Sequence, residues 1–457
     1  MQSMKQTSTI ARTFVTLAMG VVVAVSMPEA ARANTFLEAL RSTYETNPEI
    51  KAQRESLQAV DELAAQANSG FRPTINGTGD FGRQRSAFGG ANWDYNNANT
   101  KQLRVEQPLF RGGTTIANVN SARQRVKAGQ QQLDAVEQNV MLEAITAYMD
   151  VIQAQAILEL SRNNQDVLAR QLTATNERFS VGDVTRTDVA QSEARLSNAK
   201  SAVISAEGQV IATMATFERL VGYKPTVALD VPQSYPPIPA SLDEALLIAK
   251  NSNPGLLSAV HAEKSARYDV NANIGTLLPQ LSLVGSASRS SSAGVNGNSD
   301  FDQDALLLNV RIPLYQGGAE YSRVREAKAR QRQRREETTN NLVTVAESTT
   351  RAWEQLETSI ATISAREDQI KAAETALDGV RQEQEYGART VLDVLDAEQE
   401  LFSARTNLVR AQRDRIVAVY NLVTTLGQLT PENLQVGINS YDPEVNYDDV
   451  KWQLIGF

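Results

Sequence analysis

The sequence contains no cysteine and a single histidine, His261. The lack of thiols excludes disulfide bonds, cysteine metal sites and thiol catalysis, and a lone histidine argues against a His-ligated zinc site. The net charge of −8 argues against a general nucleic-acid binder. The most basic run, SRVREAKARQRQRREE at 322–337, is interspersed with glutamates and lacks the aromatic residues needed for stacking on bases. We therefore predict no metal site and no nucleic-acid partner. No Ser-His-Asp or P-loop context appears in the sequence, so we also predict no catalytic residue and no cofactor.

Long apolar runs are missing except near the start of the chain. The run FVTLAMGVVVAV at 14–25 follows Lys5 and Arg12 and precedes the segment ARA at 31–33, which fits a small-x-small cleavage site. This pattern predicts a signal peptide over residues 1–33. The alternative, a membrane anchor, needs a longer run of about 20 residues. Without another such run, a mature chain that enters a membrane needs a closed β-barrel.

The chain carries an internal repeat with a spacing of about 205 residues. EQPLFRGG at 106–113 and RIPLYQGG at 311–318 share Pro-Leu-aromatic-x-Gly-Gly, and FSVGDVTRTDV at 179–189 corresponds to EYGARTVLDV at 385–394. Matched landmarks at one offset indicate two copies of one structural unit. The predicted parts are repeat 1 at 34–240, repeat 2 at 241–430 and a C-terminal tail at 431–457.

Within each repeat the periodicity predicts a helix, two strands, a long helix, a glycine turn and a return helix. The long helices, free of proline from about 114 to 179 and from 319 to 385, are about 100 Å long. The first helix and the return helix of each repeat are expected to lie end to end beside the long helix. The predicted strands are 73–85 and 100–110, then 279–290 and 303–315, and the hairpin tips lie near 182 and 387.

Loops and turns are predicted around the strands. The segments 86–100 and 290–302 are rich in Gly, Asn and Ser, which favours long exposed loops. Each repeat then passes from strand to helix through its Gly-Gly turn. The turn residues are Pro108, Gly112, Gly113, Pro313, Gly317 and Gly318.

Four strands are too few to close a membrane barrel, since the smallest known have about eight. An open sheet would leave unpaired edges in lipid. Further copies of the chain must therefore complete the sheet. Two copies would supply eight strands, largely filled inside, and three would supply twelve, wide enough for an aqueous passage. The predicted fold class is mainly α with a small membrane β-sheet, in two direct repeats of helix–strand–strand–long helix–helix.

These features resemble the TolC-type outer membrane proteins of efflux and type I secretion systems. The resemblance covers nearly all of the chain after residue 33. It rests on the doubled plan, the Gly-Gly turns and the segments VGDVTRTDV at 181–189 and YGARTVLDVLDAEQELFSAR at 386–405. It implies a homotrimer with a 12-stranded β-barrel in the outer membrane, on a long α-helical barrel that extends into the periplasm.

The resemblance implies that such a trimer is a passive exit duct. Its implied partners are outer-membrane lipid, a periplasmic adaptor (membrane fusion) protein, and an inner-membrane transporter of the ABC, RND or MFS type that supplies the energy. The hairpin tips would dock the adaptor. The residues that match these tips are Val181, Gly182, Tyr386 and Gly387.

Asp393 and Asp396 open the return helix of the second repeat, three residues apart on one helix face. One interpretation is a capping role, because the helix dipole favours acids at a helix start, as it would for Asp188 in the first repeat. The other follows from the resemblance, in which the matching residues line a constriction. Three copies would then form two acidic rings that favour cations, and crowding would raise some of the carboxyl pKa values.

The resemblance also implies links that hold the tips closed. In the family an arginine two residues after the second turn glycine reaches a Thr-Asp pair on the first hairpin, and Arg389 and Thr187–Asp188 match these positions. A tyrosine three residues before that glycine joins the latch in the family. This chain has Gln384 there, whose amide also donates hydrogen bonds.

Two other function classes are considered. A periplasmic adaptor, a coiled-coil scaffold without a pore of its own, would carry one helical hairpin within a split β-rich lipoyl-like module. A hydrolase would use paired carboxylates for acid–base chemistry. Two hairpins in direct repeat, each preceded by a strand pair, favour the channel, and no cleft-forming α/β pattern surrounds the carboxylates. We therefore predict that the chain is not an enzyme.

Overall fold

A computed structural model of the chain describes residues 35–87, 94–225, 229–232, 235–294, 297–437 and 440–454. The predicted signal peptide lies outside these residues. The helices of the first repeat are α1 (Phe36–Thr46), α2 (Pro48–Asn68), α3 (Thr114–Ser180) and α4 (Arg186–Val221). Those of the second repeat and the tail are α5 (Leu242–Ser252), α6 (Pro254–Gly275), α7 (Ala319–Glu385), α8 (Val391–Thr425) and α9 (Glu444–Val450).

The first helix predicted in each repeat is in fact a pair of helices. Pro48 and Pro254 each take the first turn of a new helix, where a missing backbone N–H leaves no hydrogen bond unmade. The preceding Asn47 and Asn253 are the N-caps, and Asn47 Oδ1 accepts a hydrogen bond from the N–H of Glu49 at 2.9 Å. The prediction of one continuous helix at the start of each repeat is therefore wrong.

The same asparagines join these helices to the return helices. Asn47 Nδ2 donates to the Leu220 carbonyl at 3.1 Å, and Asn253 Nδ2 donates to the Thr425 carbonyl at 3.0 Å. These carbonyls lie in the last turns of α4 and α8, where no backbone N–H of the same helix is available to bind them. α2 and α4 both pack against α3, as α6 and α8 pack against α7. The predicted end-to-end arrangement beside each long helix is confirmed.

A cluster of aromatic side chains joins the two repeats near these joints. Phe36 of α1 contacts Tyr148 of α3, with ring centroids 5.3 Å apart, and Tyr420 of α8 at 5.6 Å. Tyr148 also contacts Phe217 of α4 at 6.1 Å. All four side chains are buried in one core cluster, so their apolar area fixes the repeats against each other.

The strands are β1 (Thr74–Ser86), β2 (Asp94–Arg111), β3 (Gln280–Gly294) and β4 (Gly297–Arg311). They form one antiparallel sheet in the order β1-β2-β3-β4, so the pairing of β2 with β3 joins the repeats. The first hairpin is paired as far as Ser86 opposite Asp94. The prediction of long loops is therefore wrong at 94–100, 290–294 and 297–302, which are strand, while residues 88–93 and 295–296 lie outside the described part of the chain. The Gly, Asn and Ser residues of these three segments are in strands because cross-strand partners outweigh local preference.

The two strand-to-helix turns differ from each other. β2 continues through Pro108, with a register shift between Pro108 and Phe110. β4 stops at Arg311, ahead of Pro313, because its partner β3 begins at Gln280, opposite Arg311. The fourth strand is therefore shorter at this end than predicted, since the residues around Pro313 have no strand beside them in the described chain.

The sheet exposes apolar side chains on its surface. Ile75, Val105 and Leu306 lie in one cross-strand row with Gly285, and both Ile75 and Leu306 are exposed. An exposed apolar surface of this kind marks a place of contact with lipid or protein. Within the described residues, every helix is too short or too polar to be a membrane span.

The C-terminal tail runs along α2 towards the sheet. Asn446 in α9 donates its side-chain amide to the buried carboxylate of Asp61 at 2.8 Å. Further along, Asn68 Nδ2 donates to the Lys451 carbonyl at 2.8 Å. The tail, to which the sequence assigned no role, therefore packs against the C-terminal half of α2 and is bound to it by these two hydrogen bonds.

Candidate functional site

Two glycine turns close the helical hairpins at equivalent places in the repeats. Gly182 has a φ of 82° and Gly387 has a φ of 75°, in the left-handed region that glycine adopts without Cβ strain. Val181 and Tyr386, which precede them, are exposed. Each tip therefore presents a large apolar or aromatic side chain to solvent.

Each return helix begins with a capping box. In α8, Asp393 Oδ2 accepts hydrogen bonds from the Thr390 N–H at 2.9 Å and from Thr390 Oγ1 at 2.8 Å. Thr185 and Asp188 form the same box at the start of α4. The capping interpretation of Asp188 and Asp393 is thus confirmed. A capping role does not conflict with the predicted acidic ring, because the same carboxylate could serve both roles.

These hydrogen bonds also control the charge of Asp393. Bonds from the backbone and the hydroxyl of Thr390, with the nearby Arg389 guanidinium, lower the pKa of the Asp393 carboxyl below its ordinary value. Asp393 is therefore ionised at neutral pH. Within one chain the direction of the shift is opposite to the one predicted from crowding between copies.

Asp396, one turn further along α8, binds the other hairpin. Its Oδ1 atom lies 2.5 Å from Nη2 of Arg195 on α4. The side chains of Asp396 and Arg195 are 58% and 33% exposed, so water reaches the pair. The ion pair joins the return helices of the two repeats.

Apolar contacts beside this ion pair hold α8 against the first hairpin. Val391 and Leu395 of α8 are buried with Leu168 of α3 and Ala199 of α4. On another side of α8, Val394 is buried in a cluster with residues of α7. The start of α8 is therefore packed between the two hairpins, with Asp396 at the margin of the apolar contact.

The predicted gate residues lie at the tips, but Arg389 binds within its own hairpin. Arg389 Nε donates to Glu383 Oε2 at 2.8 Å, and Thr187 is exposed on α4. In the described chain the guanidinium is thus paired with Glu383 instead of Thr187 or Asp188. The predicted link stays a prediction, for the contact between copies.

Gln384 is buried without a hydrogen-bond partner for its amide nitrogen. It is 9% exposed, and its Nε2 atom has no acceptor among the described residues. An unpaired buried donor costs about 1–3 kcal/mol. Within the described chain, Gln384 Nε2 therefore forms no link to the other hairpin, and the predicted role of Gln384 in the gate stays a prediction.

Sequence reasoning missed Arg195 as a site residue. The signal that could have found it is a reversal of charge between equivalent positions of the repeats. Arg195 of the first repeat corresponds to Glu400 of the second. Within the chain, Glu400 accepts a hydrogen bond from Gln369 Nε2 at 3.0 Å. Glu400 therefore faces its own hairpin, whereas Arg195 reaches across to the other.

The two Gly-Gly turns have similar φ values but different neighbouring atoms. A Cβ at Gly112 would lie 2.1 Å from the carbonyl oxygen of Gly275 in α6, whereas a Cβ at Gly317 would meet nothing within 4 Å. The four glycines have φ values of 62° at Gly112, 82° at Gly113, 71° at Gly317 and 81° at Gly318. The second turn thus lacks, within the described chain, the helix that covers the first.

Comparison with known proteins identifies the family. The sequence profile described as "Outer membrane efflux protein" matches residues 39–223 and again residues 246–428, one match in each repeat. The chain belongs to the outer membrane efflux protein family. The outer membrane efflux protein BepC of Brucella suis is 35% identical to it over 428 residues, which cover 94% of this chain and 93% of BepC.

Two further comparisons extend this result. The alkaline protease secretion protein AprF of Pseudomonas aeruginosa is 27% identical over 348 residues, covering 73% of this chain and 70% of AprF. The solved structure of CusC shares the fold, with a TM-score of 0.76 at 18% identity over 85% of this chain and 91% of that one. The TolC-type resemblance is confirmed, and the adaptor-like alternative is not favoured. As an outer membrane efflux protein, the chain lies in the outer membrane and extends into the periplasm.

Proposed function

We propose that three copies of this chain form a passive exit duct across the outer membrane, for tripartite efflux or type I secretion. One observation carries the proposal. The contact that joins the two repeats inside the chain has open counterparts on the outer flanks of both repeats. Repetition of that contact from copy to copy closes a ring.

The contact inside the chain is made by α3 and α6. Ser121 Oγ and Ser265 Oγ lie 2.9 Å apart, and both are buried. Arg125 binds the two carboxylate oxygens of Asp269, at distances of 2.9 and 3.1 Å. A buried hydroxyl pair beside a charge-assisted ion pair, in which Nη2 of Arg125 contacts both carboxylate oxygens, fixes the register of the two helices.

The counterpart surfaces are exposed. Ser121 corresponds to Glu326 on α7 at the spacing of 205. In the first helices the spacing is 206, as between Asn47 and Asn253, so Ser265 corresponds to Ala59 on α2. Both Glu326 and Ala59 are exposed. α3 has neighbours on both flanks, and it buries nearly twice as many side chains as α7, a helix of equal length. α7 of one copy therefore fits against α2 of the next, which would also cover Gly317.

The sheet supports the same assembly. In the described chain β2 and β3 each have two neighbours, while β1 and β4 have one each. Pairing of β4 with β1 of the next copy gives twelve strands in a trimer and removes both edges. The exposed Ile75, Leu306 and Leu308 would then meet lipid around an aqueous passage.

Engineered disulfides test the ring. The chain has no cysteine, and the hydroxyls of Ser121 and Ser265 lie 2.9 Å apart, so the side chains at these two positions face each other directly. Because Ala59 and Glu326 are the counterparts of this pair, Ala59→Cys combined with Glu326→Cys is expected to give covalent dimers and trimers on non-reducing denaturing gels.

Ser121→Cys combined with Ser265→Cys is the matched control. It is expected to oxidise within one chain and to migrate as a monomer. If the control oxidises while the Ala59→Cys and Glu326→Cys protein stays monomeric, copies of the chain do not meet as proposed.

The hairpin tips provide the remaining contacts. Val181 and Tyr386 would bind a periplasmic adaptor, which connects the duct to an ABC, RND or MFS transporter in the inner membrane. Asp393 and Asp396 would form the acidic constriction. Arg389 would bind Thr187–Asp188 of a neighbouring copy when the tip is closed. The duct performs no chemistry, and the transporter supplies the energy.

Arg389→Ser is expected to raise the closed-state conductance of the pore several-fold in planar bilayers, because the tip loses its proposed link between copies. The matched control is Arg178→Ser, which breaks the 2.6 Å ion pair with Asp183 inside the first tip. Closed-state conductance that is the same in Arg389→Ser and wild type would remove Arg389 from the gate.

A further inference from the structure

The tip contains an ion pair between the two hairpins of one chain. Arg195 of α4 and Asp396 of α8 are held 2.5 Å apart. Leu395, beside Asp396, is buried against the first hairpin, so the position of the carboxylate is fixed by apolar packing. Movement of α8 away from α4 would break both the packing and the ion pair.

The repeat shows what occupies the corresponding place between copies. Arg195 corresponds to Glu400, and Asp396 corresponds to Gln191. When the contact between repeats is repeated from copy to copy, Glu400 of one copy lies near Gln191 of the next. This is an acid beside a neutral amide. Within a chain, the acid Asp396 is therefore paired with the cation Arg195. At the equivalent contact between copies, the acid Glu400 has no cation opposite it.

We propose that Arg195 is a closed-state latch on Asp396, which ties the hairpins of each chain together and neutralises one of the two acidic rings. The inference rests on the proposed channel function and adds a positioning residue to it. Opening that separates the hairpins frees the Asp396 carboxylate. In the open tip, Asp396 no longer has Arg195 as its partner cation, so both acidic rings carry their full charge. The cation preference of the open tip is therefore higher than that of the closed tip.

Purified full-length protein in planar bilayers provides the first test. Arg195→Gln and Asp396→Asn are each expected to raise the closed-state conductance about tenfold, because a trimer loses three exposed ion pairs at once. Their effects on the reversal potential are opposite. Arg195→Gln strengthens the cation preference, and Asp396→Asn weakens it. Reversal potentials that are unchanged in both variants would show that the pair lies outside the field of the pore, and would overturn the link between the latch and cation preference.

Combined variants test whether the two residues act as a pair. Arg195→Gln with Asp396→Asn is expected to be no leakier than either single variant. Arg195→Asp with Asp396→Arg restores opposite charges and is expected to bring the closed-state conductance back to within about twofold of wild type. The control, Arg162→Gln, breaks a 2.8 Å ion pair with Glu207 inside the first hairpin and leaves the conductance unchanged.

The possible failures are distinguishable. Additive increases in the double variant, or a charge-swapped protein that still leaks, overturn the latch and leave the channel in place. Wild-type protein that forms no pore overturns the channel function itself, and the latch with it.

A crosslink tests the location of the pair without any measurement of conductance. Protein that carries Arg195→Cys and Asp396→Cys is treated with a short bismaleimide, whose two maleimides each react with a thiol. The two introduced thiols are the only ones present, because the chain lacks cysteine. We expect an internally bridged monomer with altered mobility on denaturing gels. Covalent dimers in place of this monomer would assign the contact to neighbouring copies and overturn the latch.

Discussion

Gly427→Ala is expected to disrupt the joint between α8 and α5. Gly427 has a φ of 73°, and a Cβ there would lie 2.1 Å from the carbonyl oxygen of Ser252, a backbone atom at the end of α5. The alanine adds left-handed strain of about 1–2 kcal/mol to a forced displacement of that helix. We expect a loss of at least about 4 kcal/mol in the free energy of unfolding. The measurements are thermal unfolding and the yield of assembled protein in the outer membrane.

Gly222→Ala is the matched control, at the equivalent position of the first repeat. Gly222 has a φ of 88°, but a Cβ there would meet Thr46 Oγ1 at 2.9 Å, a side-chain hydroxyl whose displacement breaks its hydrogen bond to the Ser42 carbonyl. The expected loss is the backbone strain of about 1–2 kcal/mol plus about 1 kcal/mol for that hydrogen bond. Equal losses in the two variants would show that positive φ alone, and not the contact with α5, requires glycine at Gly427.

Asp393→Asn combined with Asp396→Asn is expected to abolish the cation preference of the pore. Asparagine keeps an oxygen that accepts from Thr390, so the start of α8 is retained while both rings lose their charge. The cation-to-anion permeability ratio, obtained from reversal potentials across a salt gradient, should fall about tenfold, because charges acting over a few ångströms are removed. Glu207→Gln removes an acid outside the proposed constriction and is the control.

The pH dependence of this preference separates the effect of capping from that of crowding. Because hydrogen bonds from Thr390 lower the pKa of Asp393 from 3.8, this carboxylate stays ionised as the pH falls from about 7.5 to about 5. Its contribution to the cation preference is therefore expected to persist at the lower pH in the Asp396→Asn background. A collapse of the preference there would show that repulsion between copies raises the pKa despite the capping bonds.

The sequence by itself determined the repeat and the elements that depend on near neighbours. α3 and α7 occur where helical periodicity is unbroken by proline, and the tips occur at Gly182 and Gly387 because positive φ strongly favours glycine. The acids at the start of each return helix also follow from local chemistry, since each capping box lies within three residues.

The tertiary structure decided the strand lengths and the partners of the charged side chains. The Gly/Asn/Ser-rich segments are largely strand because their backbone groups pair with residues of another strand, which local composition does not reveal. Arg195 meets Asp396 because packing of α8 against the first hairpin sets these faces side by side. Arg389 meets Glu383 across the turn at Gly387, whereas the resemblance had implied a partner on the other hairpin. An ion pair depends on the distance between two side chains in space. For Arg195 and Asp396, 201 positions apart, only the packing of α8 against the first hairpin sets that distance.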